Sequence, residues 1–332
     1  MFGFELDKHS DQHAFDTVPV FDFLVIGAGP AGLNAALYAS RKGMVTGVIG
    51  SVGGQLHNTT SVDNYLGFPL IGGKEMSDRF FDHLSTLDVP VLTDRKVTSL
   101  TRVDGLFLAK TDDGKTRKAK TVLIATGGSS RTLGVPGEET YRNKGVSYCT
   151  TCDAPFFKDK DVIVAGGGNS AAEAVIDLVP WAKTITVVHR SQWRADGILL
   201  EKHKEIPNLT VHLQTQILSI DGKEKMTGVT VLDKRANSVM TIKADGIFIE
   251  IGTVPNSTLV RDLVETDLVG QIITDKNQMT SVPGLFAAGD VTDQPHKQII
   301  ISVAEGAKAA LAAHTYLIHQ TKEGHHATTV ER

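Results

Sequence analysis

The sequence predicts an α/β protein built from two Rossmann-like dinucleotide-binding domains of the three-layer ββα type, one inserted in the other. Three observations lead there. A strand, a glycine turn and a helix follow one another twice, over residues 21–42 and again over 161–178. Two more short apolar runs, 121–124 and 284–288, also end in glycine. A length of 332 residues exceeds what one core usually supports, and 32 glycines suit tight turns and close backbone approach to ligands.

Residues 1–20 form an acidic, His-containing extension without the apolar stretch of a signal peptide. Residues 21–26 are an apolar strand, Gly27-Ala28-Gly29-Pro30-Ala31-Gly32 follows, and 33–42 reads as a helix ended by Gly43. Gly27, Gly29 and Gly32 satisfy G-x-G-x-x-G in the context that makes it specific, after a strand and before a helix. Glycine there permits the turn and lets a pyrophosphate reach the helix N-terminus. The next strand, 46–49, ends in Gly50-Ser51, where an acid for a ribose hydroxyl often stands. Ribose contacts then fall to Gly53-Gly54-Gln55-Leu56 and Asn64.

The run Lys115-Thr116-Arg117-Lys118-Ala119-Lys120 reads as a solvated hairpin. After it, strand 121–124 ends in Ala125-Thr126-Gly127-Gly128 and returns to the first glycine turn. The expected organisation is 1–128 as the first segment of the outer domain, 129–250 as the insertion, and 251–318 as the second segment. Ile251-Gly252-Thr253 is the returning hinge, and Ala287-Ala288-Gly289-Asp290 brings a second strand end to the outer pocket. Residues 299–318 read as the closing helix, and 319–332 as a frayed polar tail.

The insertion holds the chain's two cysteines, in Cys149-Thr150-Thr151-Cys152-Asp153. Two thiols at this spacing can close a small disulfide, and the adjacent carboxylate can move the protons its opening requires, so the segment reads as a redox centre. Two other readings use the same residues: a zinc site completed by His325 and His326, and a redox sensor. Asp153 favours catalysis over sensing, because a sensor needs no fast proton transfer.

Residues 161–165 form the next strand. Gly166-Gly167-Gly168-Asn169-Ser170-Ala171 is a G-x-G-x-x-A turn, and 172–178 is a helix ahead of Pro180. Strand 185–188 ends in His189-Arg190, with Arg194 four residues on. An acid there suits a 2′-hydroxyl, whereas arginines suit a 2′-phosphate, so NADPH is favoured and NADH remains possible.

A net charge of −4 leaves no footprint for nucleic acid or an anionic membrane surface. No apolar stretch reaches the ~18 residues of a membrane span. A cytoplasmic location is expected, and a compartment that keeps thiols reduced favours a catalytic CxxC over a structural one.

Together these features resemble the bacterial-type, low-molecular-weight thioredoxin reductases, over about residues 21–318. The residues that carry the resemblance are Gly27 to Gly32, Gly53-Gly54-Gln55-Leu56, Asp63-Asn64-Tyr65-Leu66-Gly67-Phe68, Ala125-Thr126-Gly127, the CxxC with Asp153, Gly166 to Ala171, His189-Arg190 with Arg194, and Ala287 to Asp290. The resemblance implies a homodimer with FAD in the outer domain and NADPH in the inserted one. FAD would contact Gly27, Gly29, Pro30, Ala31, Gly32, Gly54, Gln55, Leu56, Asn64, Val97, Thr126, Gly127, Gly289, Asp290, Lys297, Gln298 and Ile299. Within that set Asp290 would meet the ribityl chain, and 297–299 would place backbone donors near the isoalloxazine. The nicotinamide nucleotide would use Gly166, Gly168, Asn169, Ser170, Ala171, Glu173, His189, Arg190 and Arg194.

Also by resemblance, Cys152 is the flavin-facing sulfur, Cys149 attacks the partner's disulfide and Asp153 is the acid/base. Electrons then pass from NADPH to FAD, to the Cys pair, and on to thioredoxin or a glutaredoxin-like carrier. Because the CxxC and the second glycine turn share one inserted domain, nicotinamide and disulfide are expected to alternate at the flavin by rotation about the hinge strands.

Two departures qualify the pattern. The family often has two adjacent arginines after the histidine, and here Ser191 follows Arg190 in a shorter loop. Residues 297–309 are more similar to the flavoprotein component of alkyl hydroperoxide reductase, which carries an extra N-terminal thioredoxin-like module. Lacking a further cysteine, this chain is expected to use a separate small carrier. Rival electron routes on the same fold are NADH or ferredoxin as donor, or oxidation of small dithiols by oxygen.

Overall fold

The computed structural model describes residues 12–59 and 61–327. The chain divides into two compact units, one formed by the residues up to Ser129 with those from Val254 onward, the other by Ser130–Thr253.

The first unit is organised on a seven-stranded sheet. Its path runs Val91–Leu92, Thr46–Val52, Phe21–Ala28, Thr116–Ile124, Leu106–Thr111, Val97–Val103, with Leu285–Ala287 also paired to Thr116–Ile124. Phe21–Ala28 is central and parallel to both neighbours, with Phe23 opposite Thr46 on one side and Thr121 on the other. Its continuous apolar run follows from burial on both faces. Phe23 and Val25 face the alanine-rich sides of helices Pro30–Arg41 and Ile299–Ala327, whereas Leu24 and Ile26 face a second cluster with Phe15, Phe107 and Val260. The two helices meet closely because Gly306 has no side chain: a Cβ there would stand 2.0 Å from the carbonyl of Ala31.

The second unit has a parallel sheet in the order Leu209–Leu213, Thr184–His189, Asp161–Ala165, Gly246–Ile249, Val146–Ser147. An antiparallel sheet of Thr215–Gly222, Met226–Asp233 and Ser238–Lys243 accompanies it. Strand periodicity sorts the core into layers. Ile163, Ala165, Ile247 and Ile249 pack with Ile217, Ile220, Val229 and Val231 of the antiparallel sheet. Val162, Val164, Val187 and Phe248 pack with Ala171, Ala174, Val175 and Leu178 of helix Asn169–Leu178. The result is the expected sheet, sheet and helix sandwich.

Several boundaries differ from the sequence reading. Both glycine-turn helices begin earlier than residues 33 and 172, at Pro30 and Asn169, because proline is preorganised for the first helical position and a turn ending in glycine leaves the next residues free to coil. The closing helix does not stop at Ile318 but runs Ile299–Ala327, so the frayed tail expected from 319 is helical to 327; residues 328–332 lie outside the described residues.

The 115–120 run is only half a solvated hairpin. It opens strand Thr116–Ile124, whose alternation turns Arg117 and Ala119 inward and leaves Thr116, Lys118 and Lys120 exposed. Arg117 is 7% exposed, its guanidinium lying over the Phe15 ring and pairing with Asp16 at 2.6 Å. The extension is therefore partly structured, as helix Gln12–Thr17, while residues 1–11 lie outside the described residues. Among the described residues no helix is long and apolar enough to cross a membrane.

Candidate active site

In the first unit the glycine turn sits at the carboxyl end of its central strand. A Cβ on Gly27 (φ +117°) would stand 2.2 Å from Ala125 O, and one on Gly32 1.9 Å from Gly27 O, so both positions are closed to side chains by backbone. Gly29 differs: nothing lies within 4 Å of its Cβ position, at the N-cap of helix Pro30–Arg41. That combination, two glycines for packing and one bare toward open space, is what a pyrophosphate over a helix N-terminus requires.

Other expected residues gather around this turn. Gly54 opens the short 3-10 helix Gly54–Asn58, with its Cβ position 3.6 Å from Gly29 Cα. Gln55 Nε2 donates to Gly128 O, and Asn58 Nδ2 donates to Gln55 Oε1 at 2.9 Å. Leu56 is buried beside Ile299 in a small apolar cluster. Thr126 is held by Asn256, which accepts from its hydroxyl at 2.7 Å and donates to its carbonyl at 2.9 Å. Gly289 packs on Ala31, and Asn64 Nδ2 reaches Gln298 Oε1 at 3.2 Å. Val97 lies opposite Thr111 and packs against the cluster that contains Ile26, Ile49 and Leu92.

Asp290 borders the same region. Burial raises its carboxyl above the usual carboxylate range, against the pull of Lys297 and the hydroxyl of Ser302, which donates to Oδ1 at 3.4 Å. Burial likewise lowers the Lys297 ammonium, whose Nζ donates to Thr292 O at 2.6 Å. A half-buried acid with one weak hydroxyl donor fits a ligand that supplies hydroxyls. Glu305, which the sequence reading did not weigh, lies beneath: 4% exposed, it accepts from Gly289 N at 2.7 Å and Gln294 Nε2 at 3.1 Å.

The second unit repeats the first turn's logic. A Cβ on Gly166 would meet Glu250 O at 2.3 Å, one on Gly167 the His189 ring at 2.2 Å, and one on Gly168, the N-cap of Asn169–Leu178, nothing within 4 Å. Asn169 and Asp196 exchange two hydrogen bonds of 2.9 Å, and Arg194 N donates to Gly167 O at 2.7 Å. His189 is buried; desolvation and then Arg194 lower its imidazole below the ordinary histidine range. Ser191 Oγ lies 2.9 Å from His189 Nε2, while Arg190 and Arg194 are exposed. Ser170 is exposed, and Ala171 is buried under the turn.

Cys149 and Cys152 form a disulfide, with Cα atoms 5.3 Å apart. Cys149 caps the single turn Thr150–Asp153, and the Asp153 N–H donates to Cys149 O at 3.1 Å, closing the turn that carries both cysteines and the acid. Ser147 organises the turn: its hydroxyl donates to Asp153 Oδ2 at 2.6 Å and accepts the Cys149 N–H at 3.1 Å. Sequence reasoning missed Ser147, Asp196 and Glu250. Ser147 lies two residues before the first cysteine and Asp196 heads a helix, but neither carries a motif of its own, and Glu250 stood only as a domain boundary. Among the described residues no group of three or more His, Cys, Asp or Glu is placed to hold a metal ion.

A family model described as pyridine nucleotide-disulphide oxidoreductase matches residues 21–311. A component of alkyl hydroperoxide reductase in Staphylococcus epidermidis is 37% identical over 95% of this chain and 62% of its own length. A Bacillus subtilis protein named NADH dehydrogenase is 40% identical over the same shares. The chain thus spans 62% of the length of these curated relatives. Among solved structures, thioredoxin reductase from Streptococcus pyogenes superposes with a TM-score of 0.87 at 38% identity, over 91% of this chain and 99% of that one. Thioredoxin reductase from Giardia duodenalis gives 0.86 at 30% identity, over 91% and 100%.

Proposed function

The chain belongs to the pyridine nucleotide-disulphide oxidoreductases, and from that premise we propose that it is a flavoprotein disulfide reductase carrying electrons from NADPH to the disulfide of thioredoxin or a glutaredoxin-like protein. The observation that carries the proposal is the redox turn: a disulfide, Cys149–Cys152, with the adjacent Asp153 held by Ser147, in the same unit as a glycine turn open at Gly168.

FAD fits the first unit, because Gly29 leaves the backbone bare at a helix N-terminus and Asp290 is a half-buried acid suited to hydroxyl donors. Gly27, Gly29, Pro30, Ala31 and Gly32 would hold its pyrophosphate, with Gly54, Gln55, Leu56, Asn64, Val97, Thr126, Gly127, Gly289 and 297–299 around the rest. When bound, the flavin supplies a relay for two electrons between nicotinamide and disulfide. The nicotinamide nucleotide would lie over Gly166, Gly168, Asn169, Ser170 and Ala171, with Glu173 further along the same helix and His189, Arg190 and Arg194 at its adenosine end.

The chain's own residues account for the thiol chemistry. Once the pair is reduced, Cys149 Sγ attacks a sulfur of the carrier disulfide. A mixed disulfide forms, the carrier's S–S bond breaks, and the departing thiolate takes a proton from Asp153. Cys152 Sγ then attacks Cys149 Sγ, the mixed disulfide breaks, and the Cys149–Cys152 bond closes as the carrier leaves with both sulfurs reduced. Asp153 regains its proton from Cys152 as that thiol becomes the nucleophile.

A second reading changes the donor to NADH. It is favoured by Ser191, which occupies the place of a second arginine and turns its hydroxyl to His189, and by the 40% identical relative named NADH dehydrogenase. The proposal also carries a cytoplasmic location and a homodimer, and light scattering of the purified protein checks the dimer. Anaerobic titration with NADPH and then NADH, watching the flavin bleach, followed by turnover with thioredoxin, decides between donors. If neither nucleotide bleaches the flavin, the proposed function is wrong.

A further inference from the structure

Glu250 joins the redox turn to the second glycine turn. It follows strand Gly246–Ile249, its backbone N–H donates to Ala165 O at 2.8 Å, and its carbonyl fills the space that any side chain at Gly166 would need. Its side chain reaches the residue after the first cysteine: Oε1 accepts the Thr150 hydroxyl at 2.7 Å and the Thr150 N–H at 3.3 Å. Thr150 is 4% exposed and Glu250 is half-buried, so the contact between this carboxyl and the redox turn is partly shielded from water.

The groups facing Glu250 are acidic. Helix Asn169–Leu178 brings Asp177 and Glu173, and Asp177 Oδ2 accepts from the Thr151 hydroxyl at 3.5 Å. The redox turn itself carries Cys149, Cys152 and Asp153, and the glycine turn contributes no charge. Burial, with smaller repulsion from Asp177 and Glu173, raises the Glu250 carboxyl above its ordinary range, although the two Thr150 donors oppose it. A thiolate formed on the neighbouring turn, in low dielectric, pushes the carboxyl further toward its protonated form.

We propose that Glu250 is a positioning residue whose proton occupancy follows the redox state of the Cys149–Cys152 pair, holding a proton when the pair is reduced and releasing it when the disulfide closes. Two electrons and two protons enter together. The S–S bond breaks, one proton stays on a sulfur, the other sulfur remains a thiolate, and the second proton resides on Glu250. On closure the thiolate's electrons pass to the leaving carrier, and the Glu250 proton goes to solvent or to the carrier's thiolate. The inference rests on the Cys pair cycling as proposed above.

The test equilibrates the flavin-loaded protein with mixtures of reduced and oxidised dithiothreitol from about pH 5 to about pH 9, spanning carboxylate and thiol titration, and counts trapped thiols. In one pH window the reduced-to-oxidised ratio of the wild-type pair should fall up to about tenfold more per pH unit than that of Glu250→Gln, which is one additional linked proton. Identical pH dependence of the two proteins overturns the proposal. Thr150→Val keeps the carboxyl but removes its hydroxyl donor, so the window should move to higher pH; an unmoved window also overturns it, whether or not Glu250→Gln folds. Because dithiothreitol supplies the electrons, a pair that shows the window yet is never reduced by NADPH or NADH sinks the reductase reading and leaves Glu250's role standing.

Discussion

Ser147 and Asp153 are locked together by a 2.6 Å hydrogen bond in which the hydroxyl donates to Oδ2, while the same hydroxyl accepts the Cys149 N–H. One small side chain therefore fixes both the carboxylate proposed to carry the proton and the backbone of the first cysteine. Asp153→Asn should cut carrier turnover by about 10²–10⁴, the usual worth of general acid–base catalysis. Ser147→Ala should cut it by a smaller factor, about tenfold, and lower stability by about 1 kcal/mol for the lost hydrogen bond. In both variants nucleotide-driven flavin bleaching should keep its wild-type rate, measured by stopped flow. A Ser147→Ala protein with unchanged carrier turnover removes the positioning role.

The two cysteines should separate by assay. Cys149→Ser leaves flavin reduction by nucleotide intact and abolishes carrier reduction, because the attacking sulfur is gone. Cys152→Ser retains an attacking thiol and should accumulate a mixed disulfide with the carrier, since nothing resolves it. Non-reducing electrophoresis after mixing with oxidised thioredoxin reads this directly, and a trapped complex in Cys149→Ser instead would reverse the assigned order.

Glycines of the first turn should fail in different ways. Gly27→Ala places a Cβ 2.2 Å from Ala125 O at φ +117°, so the fold itself should lose stability by several kcal/mol, and little folded protein is expected. Gly29→Val meets open space at φ −79°, so Tm of the flavin-free protein should change little, while bound flavin falls sharply. Thermal unfolding and the absorbance of purified protein distinguish the two, and a flavin-replete Gly29→Val protein would falsify the pyrophosphate assignment.

Both glycine turns, the redox turn and the layer pattern were legible in the sequence because each is local. Strand, turn and helix lie within some twenty residues, and the glycine spacing is a pattern within the turn itself, although the backbone that closes Gly27 and Gly166 to side chains, at Ala125 and Glu250, comes from far along the chain. What escaped the reading depends on residues far apart. Arg117 reads as a surface charge until Phe15 and Asp16 are seen to cover it from about a hundred positions away. Glu250 reads as a hinge neighbour until Thr150, 100 residues earlier, is found donating to it. Long-range pairing of polar side chains leaves no period and no motif. The length of the closing helix escaped for another reason: past Ile318 its polar composition resembles a tail, though residues to 327 remain helical.

Nucleotide preference should hinge on Arg194 and Arg190. Both are exposed beside the second glycine turn, and Arg194 is fixed there by its backbone bond to Gly167 O at 2.7 Å. If they bind a 2′-phosphate, Arg194→Ala should raise KM for NADPH about tenfold or more and leave KM for NADH unchanged. Ser191→Arg should move preference the other way, toward NADPH. Equal effects of Arg194→Ala on both nucleotides would mean that the arginine serves the shared pyrophosphate and not the phosphate that tells them apart.

The N-terminal helix should act as a pH-sensitive clamp on the first unit. Asp16 is held below the usual carboxylate range, first by its hydrogen bond from Lys115 and also by the charge of Arg117, to which it is paired at 2.6 Å. A depressed folded-state value means the unfolded chain binds the proton more readily. The clamp's contribution is therefore present above about pH 4 and fades as pH falls through the folded value. Asp16→Asn should cost about 1–2 kcal/mol at neutral pH, more than an exposed pair, because it strands a guanidinium that is only 8% exposed. Phe15→Ala should cost about 3–5 kcal/mol at any pH, since a fully buried ring leaves a cavity beneath Arg117. Urea unfolding at neutral and acidic pH checks both: the Asp16→Asn deficit should shrink in acid and the Phe15→Ala deficit should not, and a pH-independent Asp16→Asn deficit would show that the pair contributes no charge-dependent stability.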